Sequence, residues 1–217
     1  MLIGGMIMDE RNVIFNNIDK HIMEDVKPSI YLNELKKNDV FKFEYPFSLL
    51  YKLTETEQSL KHHPEGSVWN HTMLVVDNAA AKRELSNYPR AFMWSALLHD
   101  IGKASTTKLR NGRITSYDHD KVGKEVAEKF LREFTNDEDF IKGVITRVRW
   151  HMQILFVLKG LPFADIKGML SEISLEEISL LMICDRVGRG DMDEEKKLEE
   201  ERDLKNFIEK CREYVGQ

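Results

Sequence analysis

Apolar residues recur along most of this chain with a helical period. Ile14, Ile18 and Ile22 fall at four-residue steps and predict a helix with one buried face. Pro28 and Pro46 break the segment after it into short pieces. Ser67 offers an N-cap, and Val68, Thr72, Val75, Val76 and Ala79 line the inward face of the helix it opens. Pro89 is placed to begin the next helix. From Ala91 to Leu98 that helix is apolar nearly all round, as an enclosed central element would be, and Gly102 is expected to stop it. Val122, Val126, Phe130 and Leu131 predict another inward face, with Asp118 as its cap and Gly123 letting a second helix approach. Thr135 and Glu138 form a capping-box pattern ahead of Phe140, Ile141, Val144, Ile145 and Val148. Ser174 and Glu177 repeat the pattern ahead of Ile178, Leu181 and Met182. A charged run from Asp191 to Arg202 reads as a solvated face leading into a last helix with Leu204, Phe207, Ile208 and Cys211.

The period changes once. Thr107–Arg110 and Arg113–Ser116 flank Asn111-Gly112, a strong short-hairpin signal, and predict a small β-flap carrying Lys108, Arg110 and Arg113. The expected fold class is therefore all-α with one β-hairpin. At 217 residues the chain suits one compact domain with small appendages, and 42% hydrophobic with 32% charged residues is ordinary for a globular protein. A net charge of −5 gives no general case for a nucleic-acid scaffold, although a local basic patch is compatible with it. The apolar start, residues 1–8, is too short for a leader and lacks its charge and cleavage pattern. No stretch approaches the ~20 apolar residues of a membrane span. Cys184 and Cys211, far apart and without CxxC spacing, read as reduced core thiols and point to a cytoplasmic protein with no membrane partner.

Against this pattern a few polar residues stand out. His99 and Asp100 sit side by side at the end of the most apolar helix, where burial is expensive unless something claims them. His71 lies on the edge of an apolar face, His119 in a first helical turn, and His151 seven residues after Val144 on an inward face. Asp185 falls on an apolar stripe seven residues after Ile178. Each has a bland reading as a satisfied core residue; His21, near the first helix, reads as a surface or packing histidine. Together the six make an imidazole and carboxylate set without thiolate, suited to manganese, iron, cobalt, nickel, zinc or, less well, magnesium. Asp100, with two oxygens, can bridge two ions.

His71, His99-Asp100 and Asp185 match the H…HD…D signature of the HD-domain metal-dependent phosphohydrolases, and His119 and His151 match the extra ligands of its dinuclear subgroup. The chain resembles most closely the HD module of bacterial CCA-adding tRNA nucleotidyltransferases, through His63-Pro64-Glu65-Gly66…His71-Thr72, Leu98-His99-Asp100-Ile101-Gly102-Lys103…Thr106 and Asp185…Gly188-Arg189. No strand-borne Gly-Ser followed by paired aspartates, the mark of that family's nucleotidyltransferase head, is present. The resemblance covers roughly residues 45–190 and implies an HD helical bundle there. Residues 1–44, which it does not cover, are expected from their own pattern to form an N-terminal helical cap, and 191–217 a C-terminal helix packed on the same domain. It implies hydrolysis of phosphomonoesters or cyclic phosphodiesters of a nucleotide, small phosphate ester or RNA end. One ion would be held by His71, His99, Asp100 and Asp185, a second by Asp100, His119 and His151. Asp100 and Lys103 are the expected catalytic residues. Lys103, just past the metal pair, is the first candidate for a phosphate contact, with its alternative as a helix-end cation. Arg149 and Arg186, adjacent to ligands, are weaker candidates. The rival readings are a dinuclear-iron oxygenase and a non-catalytic regulatory or RNA-binding module.

Overall fold

The structure, a computed structural model, describes residues 3–190 and 192–216, with side chains from residue 10 onward. Met1, Leu2 and Asp191, parts of the apolar start and of the charged run, lie outside these residues. The chain runs α1 (Ile3–Glu24), α2 (Pro28–Leu35), α3 (Asp39–Phe43), α4 (Phe47–Tyr51), α5 (Val68–Ala80), α6 (Pro89–Leu98) and α7 (Lys103–Thr106). A hairpin of β1 (Lys108–Arg110) and β2 (Arg113–Thr115) follows. Then come α8 (His119–Arg132), α9 (Glu138–Trp150), α10 (Gln153–Leu158), α11 (Ile166–Glu172), α12 (Leu175–Val187) and α13 (Glu194–Val215). No helix among the described residues is long and apolar enough to cross a membrane.

The centre is α6. Every residue from Ala91 to Leu98 is buried, and α5, α9, α1 and α12 pack around it. A fully buried Phe or Leu contributes roughly 1.5–3 kcal/mol, so this one element anchors much of the fold. The N-terminal helices share its core: Phe15 stacks on Trp94 with ring centroids 4.7 Å apart, and Trp94 Nε1 donates to Asp19 at 2.6 Å. A second, smaller core beneath α10–α13 joins Trp150, Ile154, Met169, Ile178, Met182 and Phe207. Between the two, Arg147 of α9 donates to Glu177 of α12 at 2.6 Å, and Glu177 also accepts from Ser86 and the Asn87 N–H.

The expected hairpin forms with antiparallel register Lys108↔Thr115, and its turn residues Asn111 and Gly112 take the positive φ of 49° and 72° that the two-residue turn needs. Several local expectations are corrected. Asp118 does not cap α8 with its side chain; it lies in a left-handed conformation (φ 58°) and its carboxylate binds Lys121. The N-cap of α9 is Asp137, which accepts from the Phe140 N–H, while Thr135 accepts from the Asp137 N–H one step earlier. The inward face of α8 is Gly123, Ala127, Phe130 and Leu131, with Val122 and Val126 only partly covered. The charged run does not lead into α13 but is its first half, capped by Asp193. Gly102 does not act as a stop: α6 ends at Leu98, and Gly102 keeps an ordinary right-handed φ.

Candidate metal centre

Two glycine contacts bring the polar residues together. A Cβ on Gly102 would fall 2.2 Å from the His119 carbonyl oxygen and 2.6 Å from the Gly123 nitrogen. Only glycine lets the turn after α6 lie against the start of α8, which seats His119 beside Asp100. A Cβ on Gly188 would fall 2.6 Å from Val75, so the end of α12 also lies directly on α5. That contact places the Gly188 carbonyl 3.1 Å from His71 Nδ1 and Asp185 Oδ1 2.9 Å from His71 Nε2.

The middle of the cluster is Asp100, 2% exposed, whose two oxygens are buried without a properly formed hydrogen bond. Oδ2 lies 2.8 Å from Lys103 Nζ, 3.3 Å from His99 Nε2 and 3.8 Å from His71 Nε2. Oδ1 lies 3.4 Å from His119 Nε2 and 3.7 Å from His151 Nε2. Each histidine of the cluster is oriented from behind: Nδ1 of His99, His119 and His151 donates to the carbonyls of Ala96, Ser116 and Val148 at 2.9, 2.7 and 2.7 Å. A carbonyl only accepts, so these rings carry their proton on Nδ1 and, when neutral, aim a bare Nε2 inward. His119 and His151 then face one another, Nε2 to Nε2, at 3.2 Å.

The electrostatics follow from burial and partners. Burial pushes His119 down to about 4, with the Asp100 carboxylate only partly opposing it, and lowers His151 likewise, with His99 adding to the effect. Both are neutral at pH 7. Burial would raise Asp100, but Lys103 and His99 outweigh it and hold the carboxyl well below its usual range. Asp185 is held down in the same way by His71 against burial. Burial would lower His71, yet Asp185 and Glu65 together push it up to about 9.

Two bare imidazole nitrogens at 3.2 Å, an orphaned buried His99 Nε2 and an unsatisfied buried carboxylate form an arrangement that is costly by itself and suited to cations. Two triads of buried ligands share Asp100: His71, His99, Asp100 and Asp100, His119, His151. Asp185 adjoins the first through His71. The donor set fits one or more divalent ions.

The structure thus brings together His71, His99, Asp100, His119, His151, Asp185 and Lys103, but not the two arginines. Lys103 bridges Asp100 and Gln58 Oε1, each at 2.8 Å, rather than serving helix-end carbonyls. Arg149 pairs with the buried Asp120 and lies over Trp150. Arg186 is buried against Glu200 and Asp203 of α13. Both arginines tie helices together through carboxylates, and neither is brought into the cluster. Sequence reasoning missed Glu65, whose side chain is 5% exposed. It accepts from His63 Nδ1 (2.9 Å) and from the Gly190 N–H (2.9 Å), and lies 3.1 Å from His71 Nδ1. Burial would raise Glu65, but these donors lower it far below the usual carboxylate range. Its only sequence signal was the His-Pro-Glu-Gly string, where a loop carboxylate stands near a ligand histidine.

Comparison with known proteins bears on the same residues. A relative, the multifunctional CCA protein of Actinobacillus pleuropneumoniae, is 35% identical over 117 residues, 52% of this chain and 27% of that protein. The multifunctional CCA protein of Pseudomonas fluorescens is 29% identical over 119 residues, 54% of this chain and 27% of its own length. That of Aromatoleum aromaticum is 46% identical over 55 residues, covering 25% and 12%. The matched stretches therefore span about a quarter or less of these relatives' own length. The HD domain family model matches residues 68–205, from the first residue of α5 into α13, a stretch that contains all six candidate ligands. With its His-Asp pair buried at the end of α6 and that match spanning most of its length, the chain belongs to the HD domain family.

Proposed function

We propose that this protein is a metal-dependent phosphohydrolase that cleaves phosphomonoester or cyclic phosphodiester bonds, its substrate a nucleotide, small phosphate ester or RNA end. The observation that carries the reading is Asp100, a buried carboxylate whose Oδ2 is ion-paired with Lys103, whose Oδ1 lacks a hydrogen bond, and which has imidazole nitrogens on either side. In this reading His71, His99, Asp100 and Asp185 hold one ion, and Asp100, His119 and His151 a second. When bound, such ions acidify water and withdraw charge from a phosphoryl group. The chain's own residues do the rest. The backbone carbonyls behind His99, His119 and His151 fix their tautomers, and Glu65 orients His71 in the same manner. Lys103, 12% exposed at its side chain and held beside Asp100 by Gln58, supplies a fixed positive charge for the phosphoryl oxygens. The buried, unpaired thiols of Cys184 and Cys211, their pKa values raised by burial to about 12 and about 11, suit a reducing cytoplasm.

The test is a screen of phosphomonoesters, cyclic nucleotides and 2′,3′-cyclic phosphates with several divalent ions, run beside Asp100→Ala. The expected result is metal-dependent hydrolysis in the wild type, with metal content and activity both lost in the variant. Full metal occupancy in Asp100→Ala would sink the assignment.

A further inference from the structure

One histidine near the centre is not used by the reading above. His63 lies in the loop before α5, and its ring meets the His71 ring edge-on with centroids 4.9 Å apart. Its side chain is 18% exposed, so it stands at the rim while His71 is fully enclosed. Its Nδ1 is 2.9 Å from Glu65 Oε1. An ionised carboxylate only accepts, so Nδ1 carries the proton and Nε2 of the neutral ring offers a lone pair. No protein group among the described residues hydrogen-bonds that Nε2.

The ring is also held still. The His62 and His63 N–H groups both donate to the Ser59 carbonyl, and the Gly66 N–H returns to the His63 carbonyl at 3.0 Å. Gln58 N–H donates to the Gly66 carbonyl, and Asn70 clamps the Glu65 carbonyl from α5. Glu65 is fixed in turn by Gly190. A preorganised acceptor at the rim of a phosphate-ester site is built for a donor on the ligand, and phosphate oxygens are not donors at neutral pH. Hydroxyl groups are.

We propose that His63 is a specificity-determining residue whose Nε2 accepts a hydrogen bond from a substrate hydroxyl adjacent to the phosphate. The inference rests on the phosphohydrolase reading and selects polyol phosphates within it. Glu65 is then a positioning residue for two histidines at once, His71 within the metal cluster and His63 at its rim.

Adenosine 3′-monophosphate and 2′-deoxyadenosine 3′-monophosphate differ only by the neighbouring hydroxyl and supply the test. On metal-loaded wild type, kcat/KM is expected to favour the hydroxylated ester about tenfold, the worth of one hydrogen bond of ordinary strength. His63→Leu should abolish the preference with unchanged metal content and melting temperature, and His63→Gln, whose amide oxygen accepts, should restore part of it. Equal turnover of both esters by wild type, or a preference that survives in His63→Leu, overturns the proposal and leaves the hydrolase reading intact. Loss of metal or of fold in both variants assigns His63 to structure and overturns it too. If neither ester, nor any in the wider screen, is hydrolysed or bound with any ion, the hydrolase reading fails and the proposal falls with it.

Discussion

Residue by residue, the centre is decided by which nitrogen or oxygen lacks a partner. Lys103 is paired with the buried Asp100 and with Gln58, so removing it leaves both acceptors uncompensated unless metal neutralises Asp100, and the comparison belongs on the metal-loaded protein. If it meets the substrate phosphate, Lys103→Ala should reduce turnover about 30- to 1000-fold, equivalent to about 2–4 kcal/mol of transition-state stabilisation. Steady-state kinetics beside elemental analysis checks this, and unaltered kinetics would make Lys103 only a partner for Asp100. The histidines predict a pH profile for the protein stripped of metal. His119 falls to about 4 from an ordinary 6.5, so its contribution is full above pH 6.5 and is lost as pH falls towards 4. His71 is raised from 6.5 to about 9, so its contribution is full below pH 6.5 and is lost as pH rises through 9. Stability in chelator is therefore expected to peak near pH 6.5 and decline on both sides, and His71→Asn should flatten the alkaline limb. Melting temperatures across that range decide it: a flat wild-type profile would contradict these assignments.

Among the elements, the close approach of the α6 end to the α8 start matters most. With the His119 carbonyl 2.2 Å from a Cβ at position 102, Gly102→Ala must push α8 outward and carry His119 with it. The expected outcome is a loss of about 1–3 kcal/mol of stability, the usual penalty for overpacking. Metal affinity should weaken more at the His119 side than at the His71 side, since the atoms that a Cβ here would strike belong to His119 and Gly123 of α8. Denaturant melts and metal titration would show it; a variant with wild-type metal binding would mean that α8 does not need this approach. The helix clamps behind the site work differently. Arg147 with Glu177, Arg149 with Asp120 and Arg186 with Glu200 tie α9 to α12, α9 to α8 and α12 to α13, so these charges hold the ligand-bearing helices in place.

For the molecule as a whole, the two triads that share Asp100 make metal stoichiometry the quantity to measure. His119 and His151 belong to one triad only, and Asp100 to both. If the centre is dinuclear, His151→Ala should lower the metal stoichiometry from two towards one while the first ion stays, and hydrolysis should fall steeply. Equal, single occupancy in wild type and variant would reject the dinuclear assignment. His151 is 1% exposed and caps α9, so the melting temperature is measured beside the stoichiometry to separate loss of an ion from loss of packing.

Much of this was legible in the order of residues, because helix period, N-caps and turn signals are local. The inward faces of α5, α6, α9 and α12, the Ser67 and Ser174 caps, the Asn111-Gly112 turn and the oddity of His99-Asp100 at an apolar helix end all depend on neighbours within a few positions. The caps of α8 and α9 were misread because several polar residues stood within reach of the same helix end, and only backbone geometry chose among them. What the sequence by itself determined was a helical chain carrying six ligand-type side chains on suitable positions. Only the tertiary structure decided that Gly102 is needed for contact with α8, that Arg149 and Arg186 are taken by carboxylates, and that Glu65 joins His63 to His71. Those outcomes depend on residues as far as 125 positions apart, as in the Glu65–Gly190 bond, and distances across that span are set by how helices pack, which no local pattern encodes.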